Sequence, residues 1–484
     1  MKKLTILHSN DMHGDFLSQQ IDDKLLGGIS RLSGYIQKVR REEKNVIYAI
    51  AGDMFRGSLI DSEYKGLSTI EMMNLLSPDV VTLGNHEVDY GLAHLLFIEK
   101  CAKFPIINAN MYIIPNHKRL FNSHHIIEID GMKVLFIGLL TEDVLDAAKQ
   151  DKLIGSLVDV KEAAEEVGKI CNSYKSVDID FTVLLTHIGF EADKKLAEAL
   201  DPRWGVDIII GGHSHTLLDK PVEVAGIPIV QAACGTAQVG RFDIEVDTDN
   251  NCISSYTWEL IPIDAENCPR DTALERVLLG YKEKTDEKYG RIVTRFAECY
   301  THPERSRQTK LGMLLADAMK EMLGLDLMIL GSGSIRKEEM GPIVTHGDFA
   351  EVLPYHDPIY MLTLNWAQVR HMIEFALLDN REAMGIHEAY QFSEGIRAVF
   401  SKKDQKLINI TLNGREPADE DVLKVGLQEY HLCSIKKFLD ISPEEAEKIR
   451  KPKLISTNCT DAAEEYFSNM EFVKAPEEER VIKI

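Results

Sequence analysis

Apolar runs that stop abruptly at polar residues recur through the first half of the chain. Leu4-Thr5-Ile6-Leu7-His8 runs into Ser9-Asn10-Asp11-Met12-His13, and Val46-Ile47-Tyr48-Ala49-Ile50 into Ala51-Gly52-Asp53. Val80-Val81-Thr82-Leu83 runs into Gly84-Asn85-His86-Glu87-Val88-Asp89. Phe181-Thr182-Val183-Leu184-Leu185 runs into Thr186-His187, and Val206-Asp207-Ile208-Ile209-Ile210 into Gly211-Gly212-His213-Ser214-His215. A further run, 134–138, ends without a strong ligand. Mostly apolar runs of β-formers read as central strands covered on both faces. Helical periodicity separates several of them, most clearly at 31–41, 68–76 and 160–174. Strands alternating with helices predict a layered α/β domain, with its polar strand ends at the edge where such sheets place their sites. Strand-like segments at 227–231 and 241–246 precede its close near Pro262.

The pattern then changes. Positions 274–288 predict one charged helix, ended by Tyr289-Gly290. Beyond it no ligand-tipped strands recur. A helix is expected over 311–323, a strand over 325–330, then the turn-forming stretch Gly331-Ser332-Gly333-Ser334-Ile335-Arg336. A helix over 366–378 and strands near 391–400 and 407–412 follow, with Asn413-Gly414 as a turn signal. The expected organisation is a domain over 1–262, a linker helix over 263–290 and a smaller α/β domain over 291–484. The acidic stretch 476–480 reads as a solvated tail.

Composition narrows the function classes. A chain of 484 residues, 44% hydrophobic and 27% charged, is globular and can bury substantial cores. Its 77 acidic and 55 basic residues give a formal charge of -22. That sign argues against a nucleic-acid backbone or an anionic membrane as partner, and an anionic small molecule would need local positive charge. Lys2 and Lys3 precede an apolar run too short for a signal peptide, and no run approaches a membrane span. The eight cysteines are scattered singly, with no C-x-x-C pair. The expectation is a cytoplasmic protein.

The strand ends carry the chemistry. In extended chain, residues i and i+2 point the same way, so Asp11-x-His13 and His213-x-His215 can each offer two ligands to one pocket. Asp53, Asn85 and His187 supply three more. Mixed carboxylate and imidazole donors suit Mn, Fe, Zn or Co. Seven ligands exceed one ion and match two that share a carboxylate. His86 follows Asn85 at a turn and can face a substrate instead, with Asp89 near enough in sequence to fix its tautomer.

These five motifs, in this order, resemble those of the calcineurin-like metallophosphoesterases. The second half is similar to the C-terminal domain of 5'-nucleotidases: Arg307 precedes Leu311-Gly312 and the helix Leu314-Leu315-Ala316-Asp317-Ala318, and Ser332-Gly333-Ser334-Ile335-Arg336 and Leu353-Pro354-Tyr355 follow. The resemblance implies a layered αββα domain joined by a helix to a smaller substrate-binding domain. It implies one metal on Asp11, His13, Asp53 and His215 and another on Asp53, Asn85, His187 and His213. It further implies that His86, oriented by Asp89, acts near the phosphate, that Arg307 and Arg336 grip it beside Asn85 and Gly333, and that Tyr355 stacks on a nucleobase. The implied reaction is hydrolysis of nucleoside 5'-monophosphates by metal-activated hydroxide, with two divalent ions (Mn, Zn, Fe or Co) and no nucleic-acid or membrane partner. The pattern departs in three places: Gly331 stands where the family's glycine-rich stretch begins with Asn, Pro354-Tyr355 replaces its Pro-Phe, and one loop is absent. The Gly-Gly-Asp-Gly-aromatic loop of that family is missing, and Leu427-Gln428-Glu429-Tyr430-His431-Leu432-Cys433 stands near its position. Tyr430 or Phe438 are the candidates for a replacement ring, although core packing suits Phe438. A 2',3'-cyclic nucleotide or a nucleotide sugar therefore stays open as substrate; a nuclease and a non-catalytic nucleotide sensor are the remaining alternatives.

Overall fold

The computed structural model describes residues 1–21, 24–142, 158–355, 357–379, 381, 386, 389–477 and 479–484. They form two compact units, Met1–Thr285 and Asp286–Ile484.

The first unit is built on two six-stranded sheets. In chain order the strands are β1 (Lys2–Ser9), β2 (Val46–Ala51), β3 (Val80–Thr82), β4 (Ile106–Ile107), β5 (His124–Ile129), β6 (Met132–Leu140), β7 (Phe181–His187), β8 (Ile208–Ile210), β9 (Val222–Val224), β10 (Ile227–Val230), β11 (Gln238–Asp247) and β12 (Cys252–Pro262). One sheet runs β12-β11-β1-β2-β3-β4, the other β9-β10-β8-β7-β6-β5. Within them β1, β2 and β3 are mutually parallel, as are β6, β7 and β8. The ends that carry the polar residues therefore share one edge of each sheet.

Period-two alternation sorts these strands' side chains into layers. In β2, Ile47, Ala49 and Ala51 join Val134, Phe136, Phe181, Val183 and Leu185 in a core between the sheets. Val46, Tyr48 and Ile50 face the other way, onto the helices Ile29–Glu42, Leu67–Leu76 and Leu92–Cys101. On the second sheet Leu135, Ile137 and Leu184 face outward onto the helices Ala163–Ser173 and Phe190–Ala199. The result is helix, sheet, sheet, helix: an αββα unit.

The helix Thr272–Tyr289 begins inside this unit. Leu274 and Leu278 are buried with Ile263 and Cys268 in the helix-side core, and Tyr281 packs against them. Each buried leucine contributes about 1.5–3 kcal/mol.

The second unit has a five-stranded sheet in the order Tyr390–Phe392, Leu327–Gly331, Val422–Gln428, Ile359–Asn365, Lys453–Ser456. Thr309 caps the helix Lys310–Leu323 by accepting the N–H of Gly312, and Asn365 with Gln368 forms a capping box on Trp366–Leu377. Asn413 and Gly414, both at positive φ, make a two-residue turn that pairs Leu412 with Arg415.

The chain terminus departs from expectation. Arg480 is not on a solvated tail: it is 5% exposed and paired with Asp317 at 2.6 Å, and Val481–Lys483 runs parallel to Ile396–Ser401. An acidic flank hides this in the sequence, because the burial of Arg480 depends on a carboxylate 163 positions away.

Candidate metal centre

Asp11 and His13 follow β1, Asp53 follows β2, Asn85 and His86 follow β3, His187 ends β7, and His213 and His215 follow β8. Both sheets thus contribute. Five of the seven candidate ligands (Asp11, His13, Asp53, His213 and His215) hold positive φ, between 50° and 80°. Side chains other than glycine avoid that region, and such strain concentrates at functional sites. Glycines let the strand ends meet. A Cβ on Gly84 would stand 2.4 Å from the Asp53 nitrogen, and one on Gly212 would stand 2.5 Å from the Ala51 oxygen.

The donor atoms converge. His187 Nε2 lies 3.1 Å from Asp53 Oδ2, 3.2 Å from Asn85 Oδ1 and 3.8 Å from Asp11 Oδ1. Asn85 Oδ1 also lies 2.7 Å from His213 Nδ1. His215 Nε2 is 3.3 Å from Asp11 Oδ1 and 3.0 Å from His13 Nε2, which is 3.9 Å from Asp53 Oδ2. Separations of about 3 Å suit neighbouring ligands on one ion with bonds near 2.1 Å. The outward ring nitrogens explain the polarity. His187 Nδ1 is 2.8 Å from the Ala51 carbonyl and His13 Nδ1 is 3.2 Å from that of Phe55, so each donates outward. Each Nε2 then aims a lone pair at oxygen or nitrogen lone pairs, an arrangement that calls for a cation among them. The residues therefore fit a divalent metal. On the protein's own charges a proton takes that role. Burial opposes a charge on His187, but the Asp53 carboxylate overcomes it and pushes the imidazole up to about 9. Asp53 in turn is held well below the usual carboxylate range against its burial.

The carboxylates are pre-aimed. Asp11 accepts the N–H of His213 on both oxygens at 3.0 Å, and Asp53 Oδ1 accepts the N–H of His86 at 2.9 Å. His86 Nδ1 lies 2.7 Å from Asp89 Oδ2. Its ring also joins a group with His13 and Asp53 whose donor atoms lie within 4.8 Å of one another.

Sequence reasoning passed over two residues. Glu87 is buried and accepts three backbone N–H groups, from Asp53, Met54 and Gly84. Arg56 donates from Nε to Asp89 Oδ2 at 3.3 Å, with its guanidinium 5.0 Å from the Tyr90 ring centre. Both stand beside residues that the motifs single out, but nothing in their spacing shows what they touch.

In the second unit, Gly333 sits in the 3-10 turn Ser332–Ser334, and the Arg336 guanidinium lies 5.6 Å from the Tyr355 ring centre. Tyr355 is about one-third exposed. Arg307 is largely exposed and paired with Glu304 at 2.5 Å. Near the expected Gly-Gly-Asp-Gly loop, the strand Val422–Gln428 passes directly into the short helix Glu429–Cys433. Phe438 is core, and Tyr430 is half exposed.

An αββα unit with carboxylates, imidazoles and a carboxamide gathered at its strand ends defines a metal-dependent phosphoester hydrolase. Residues 4–217 match the family described as calcineurin-like phosphoesterase, and residues 287–432 match the 5'-nucleotidase C-terminal domain. The chain belongs to the 5'-nucleotidase family of two-domain metallophosphoesterases, and it is an enzyme. It is 27% identical to the 5'-nucleotidase of Mus musculus over 78% of this chain and 72% of that one. It is 29% identical to the trifunctional nucleotide phosphoesterase protein YfkN of Bacillus subtilis, over 82% of this chain and 29% of that longer one. In fold it is similar to a 5'-nucleotidase precursor of Thermus thermophilus, with a TM-score of 0.79 at 23% identity over 100% and 99% of the two chains. The fold is shared with the sulfate thiohydrolase SoxB, at 0.74 and 15% identity over 99% and 96%. No helix among the described residues is long and apolar enough to cross a membrane.

Proposed function

We propose that this enzyme hydrolyses nucleoside 5'-monophosphates at the centre formed by β1, β2, β3, β7 and β8. The observation that carries this is the convergence of seven donors beside a histidine whose outward nitrogen meets a carboxylate. Asp11, His13, Asp53 and His215 would hold one ion, and Asp53, Asn85, His187 and His213 the other, with Mn, Zn, Fe or Co as the metals. When bound, two such ions would polarise phosphoryl oxygens and lower the pKa of a water. The chain's own groups do the rest. Asp89 stabilises the cationic form of His86, which presents an Nε2–H to the charge that develops on the phosphoryl oxygens. Asn85 donates from its amide nitrogen to the same group. The family resemblance assigns Arg307, Arg336 and Gly333 to the phosphate and Tyr355 to the base, and the planar Arg fork suits two phosphate oxygens.

A second reading has its own support. The family's Gly-Gly-Asp-Gly-aromatic loop is missing near the point where Val422–Gln428 passes into Glu429–Cys433, and YfkN is named a trifunctional nucleotide phosphoesterase. A 2',3'-cyclic nucleotide or a nucleotide sugar then becomes the main substrate. Purified enzyme loaded with Mn and offered 5'-monophosphates, 2',3'-cyclic nucleotides and UDP-sugars separates the two. The first reading expects the highest kcat/KM on a 5'-monophosphate, abolished by a chelator and by Asp53→Asn. A higher value on either other class replaces it. The cellular setting proposed is the cytoplasm, since all eight cysteines are free thiols, as a reducing compartment keeps them.

A further inference from the structure

The loops after β2 and β3 touch at backbone level, and one side chain fills the space beneath them. Glu87 is 1% exposed. Its Oε2 accepts the N–H of Asp53 at 3.0 Å and that of Gly84 at 2.5 Å, while Oε1 accepts the N–H of Met54 at 2.7 Å. One carboxylate therefore satisfies three buried donors from two loops, and without it all three would be orphaned. It does so beside strained backbone, since Asp53 sits at φ 53°. We infer that Glu87 is a positioning residue that locks the Asp53 loop to the Asn85 loop and so completes the ligand set of the second ion. This rests on the ligand assignment proposed above.

The two ion sites depend on the clamp unequally. Asp11 has ties of its own: its N–H donates to the Gly52 carbonyl at 3.0 Å and its carboxylate accepts from His213. His13 N–H donates to the Asp53 carbonyl at 2.9 Å. Asn85 is the only proposed ligand on the β3 loop, and Glu87 joins that loop to Asp53 through Gly84. Asp53 serves both ions, but the first keeps three ligands outside the clamp, Asp11, His13 and His215, so loss of the clamp should weaken the ion that Asn85 helps to hold far more than the other.

The test uses Glu87→Gln, which keeps shape and loses one acceptor. Its NH2 group must face N–H donors in either flip state. Glu87→Asp keeps the charge and shortens the reach. Glu166→Gln is the control: Glu166 is buried and bonded to Tyr112, Arg119 and Lys169, none of them a proposed ligand. Metal-stripped full-length proteins are reloaded with Mn, the ions per chain counted, and spin coupling read by electron paramagnetic resonance. Wild type and Glu166→Gln should hold two coupled ions. Both Glu87 variants should hold one tightly and show an uncoupled signal, with the second ion weakened about 10- to 100-fold. Should Glu87→Gln fail to fold, Glu87→Asp alone carries the comparison. Two coupled ions at wild-type affinity in either Glu87 variant overturn the clamp. So does equal loss in Glu166→Gln, which would make the effect general destabilisation. Wild type that never binds a second ion overturns the two-ion assignment instead.

Discussion

His86 differs from its neighbours in the partner of its outward nitrogen. His13 and His187 turn Nδ1 toward the Phe55 and Ala51 carbonyls, which fixes a donor there and leaves Nε2 facing inward as the ligand atom. His86 turns Nδ1 toward the Asp89 carboxylate. Burial opposes its charge, but Asp89 and Asp53 outweigh that and raise its pKa, which favours a proton on the ring. His86→Asn should lower kcat by about 10²–10⁴-fold and leave the metal count unchanged. Loss of an ion in that variant would make His86 a ligand, which its place beside His13 and Asp53 keeps physically open. A second residue of the same unit sets a pH dependence. Burial pushes the Asp207 carboxyl up to about 7, although its Oδ2 accepts the Thr182 N–H at 2.7 Å. The folded protein keeps that proton to about pH 7, whereas the unfolded chain releases it near 3.9. Unfolding between those values releases a proton, so the contribution is full below about pH 4 and is lost as pH rises through 7, at up to about 1.4 kcal/mol per pH unit. Urea unfolding of metal-free Asp207→Asn should show a smaller fall in stability from pH 5 to pH 7.5 than wild type. Equal falls would mean that the carboxyl is already ionised at pH 5.

At the scale of elements, what the sequence displays is what local pattern controls. The five strands tipped with candidate ligands were legible because each is an apolar run cut off at a turn, and the burial that makes the run apolar also places its end at the sheet edge. The helices Ile29–Glu42 and Lys310–Leu323 were legible from period alone. The last strand, Val481–Lys483, was not, because its anchor is a long-range pair of charges. Arg480 donates to both oxygens of Asp317, at 2.7 and 2.6 Å, and to the Phe392 carbonyl at 2.7 Å. Burial raises the Asp317 pKa, and Arg480 acts against that shift. Arg480→Ala leaves a mostly buried carboxylate without its partner and should cost about 3–5 kcal/mol in urea unfolding. Replacing both partners, Arg480→Met with Asp317→Leu, should recover most of that loss. A single substitution within about 0.5 kcal/mol of wild type would show that the strand holds without the pair. The role of Glu87 was illegible for a related reason. Its partners are backbone amides, which every residue has, so no residue type advertises them.

Taken as a whole, the chain is two units whose division a sequence pattern blurs. Positions 263–290 read as a linker because charge dominates the helix Thr272–Tyr289, yet two apolar residues on its first turns, Leu274 and Leu278, lie in the core of the first unit with Ile263. The unit boundary falls at Thr285, late in that helix. Two fragments make the difference measurable. One that ends at Pro262 loses the buried side chains of Ile263, Leu274 and Leu278, each contributing about 1.5–3 kcal/mol, and should unfold at clearly lower urea than one that ends at Thr285. The longer fragment contains all seven proposed ligands and Glu87, so it should bind two Mn ions and hydrolyse a simple aryl phosphate. It lacks Arg307, Arg336, Gly333 and Tyr355, to which phosphate and base recognition is assigned, so it should show no preference for a 5'-monophosphate over that aryl ester. Two-ion binding with selectivity lost would fit the assignment on both counts. A fragment that binds no metal would mean that the first unit does not assemble the centre alone. One that keeps the nucleotide preference of the full chain would remove Arg307, Arg336 and Tyr355 from substrate recognition.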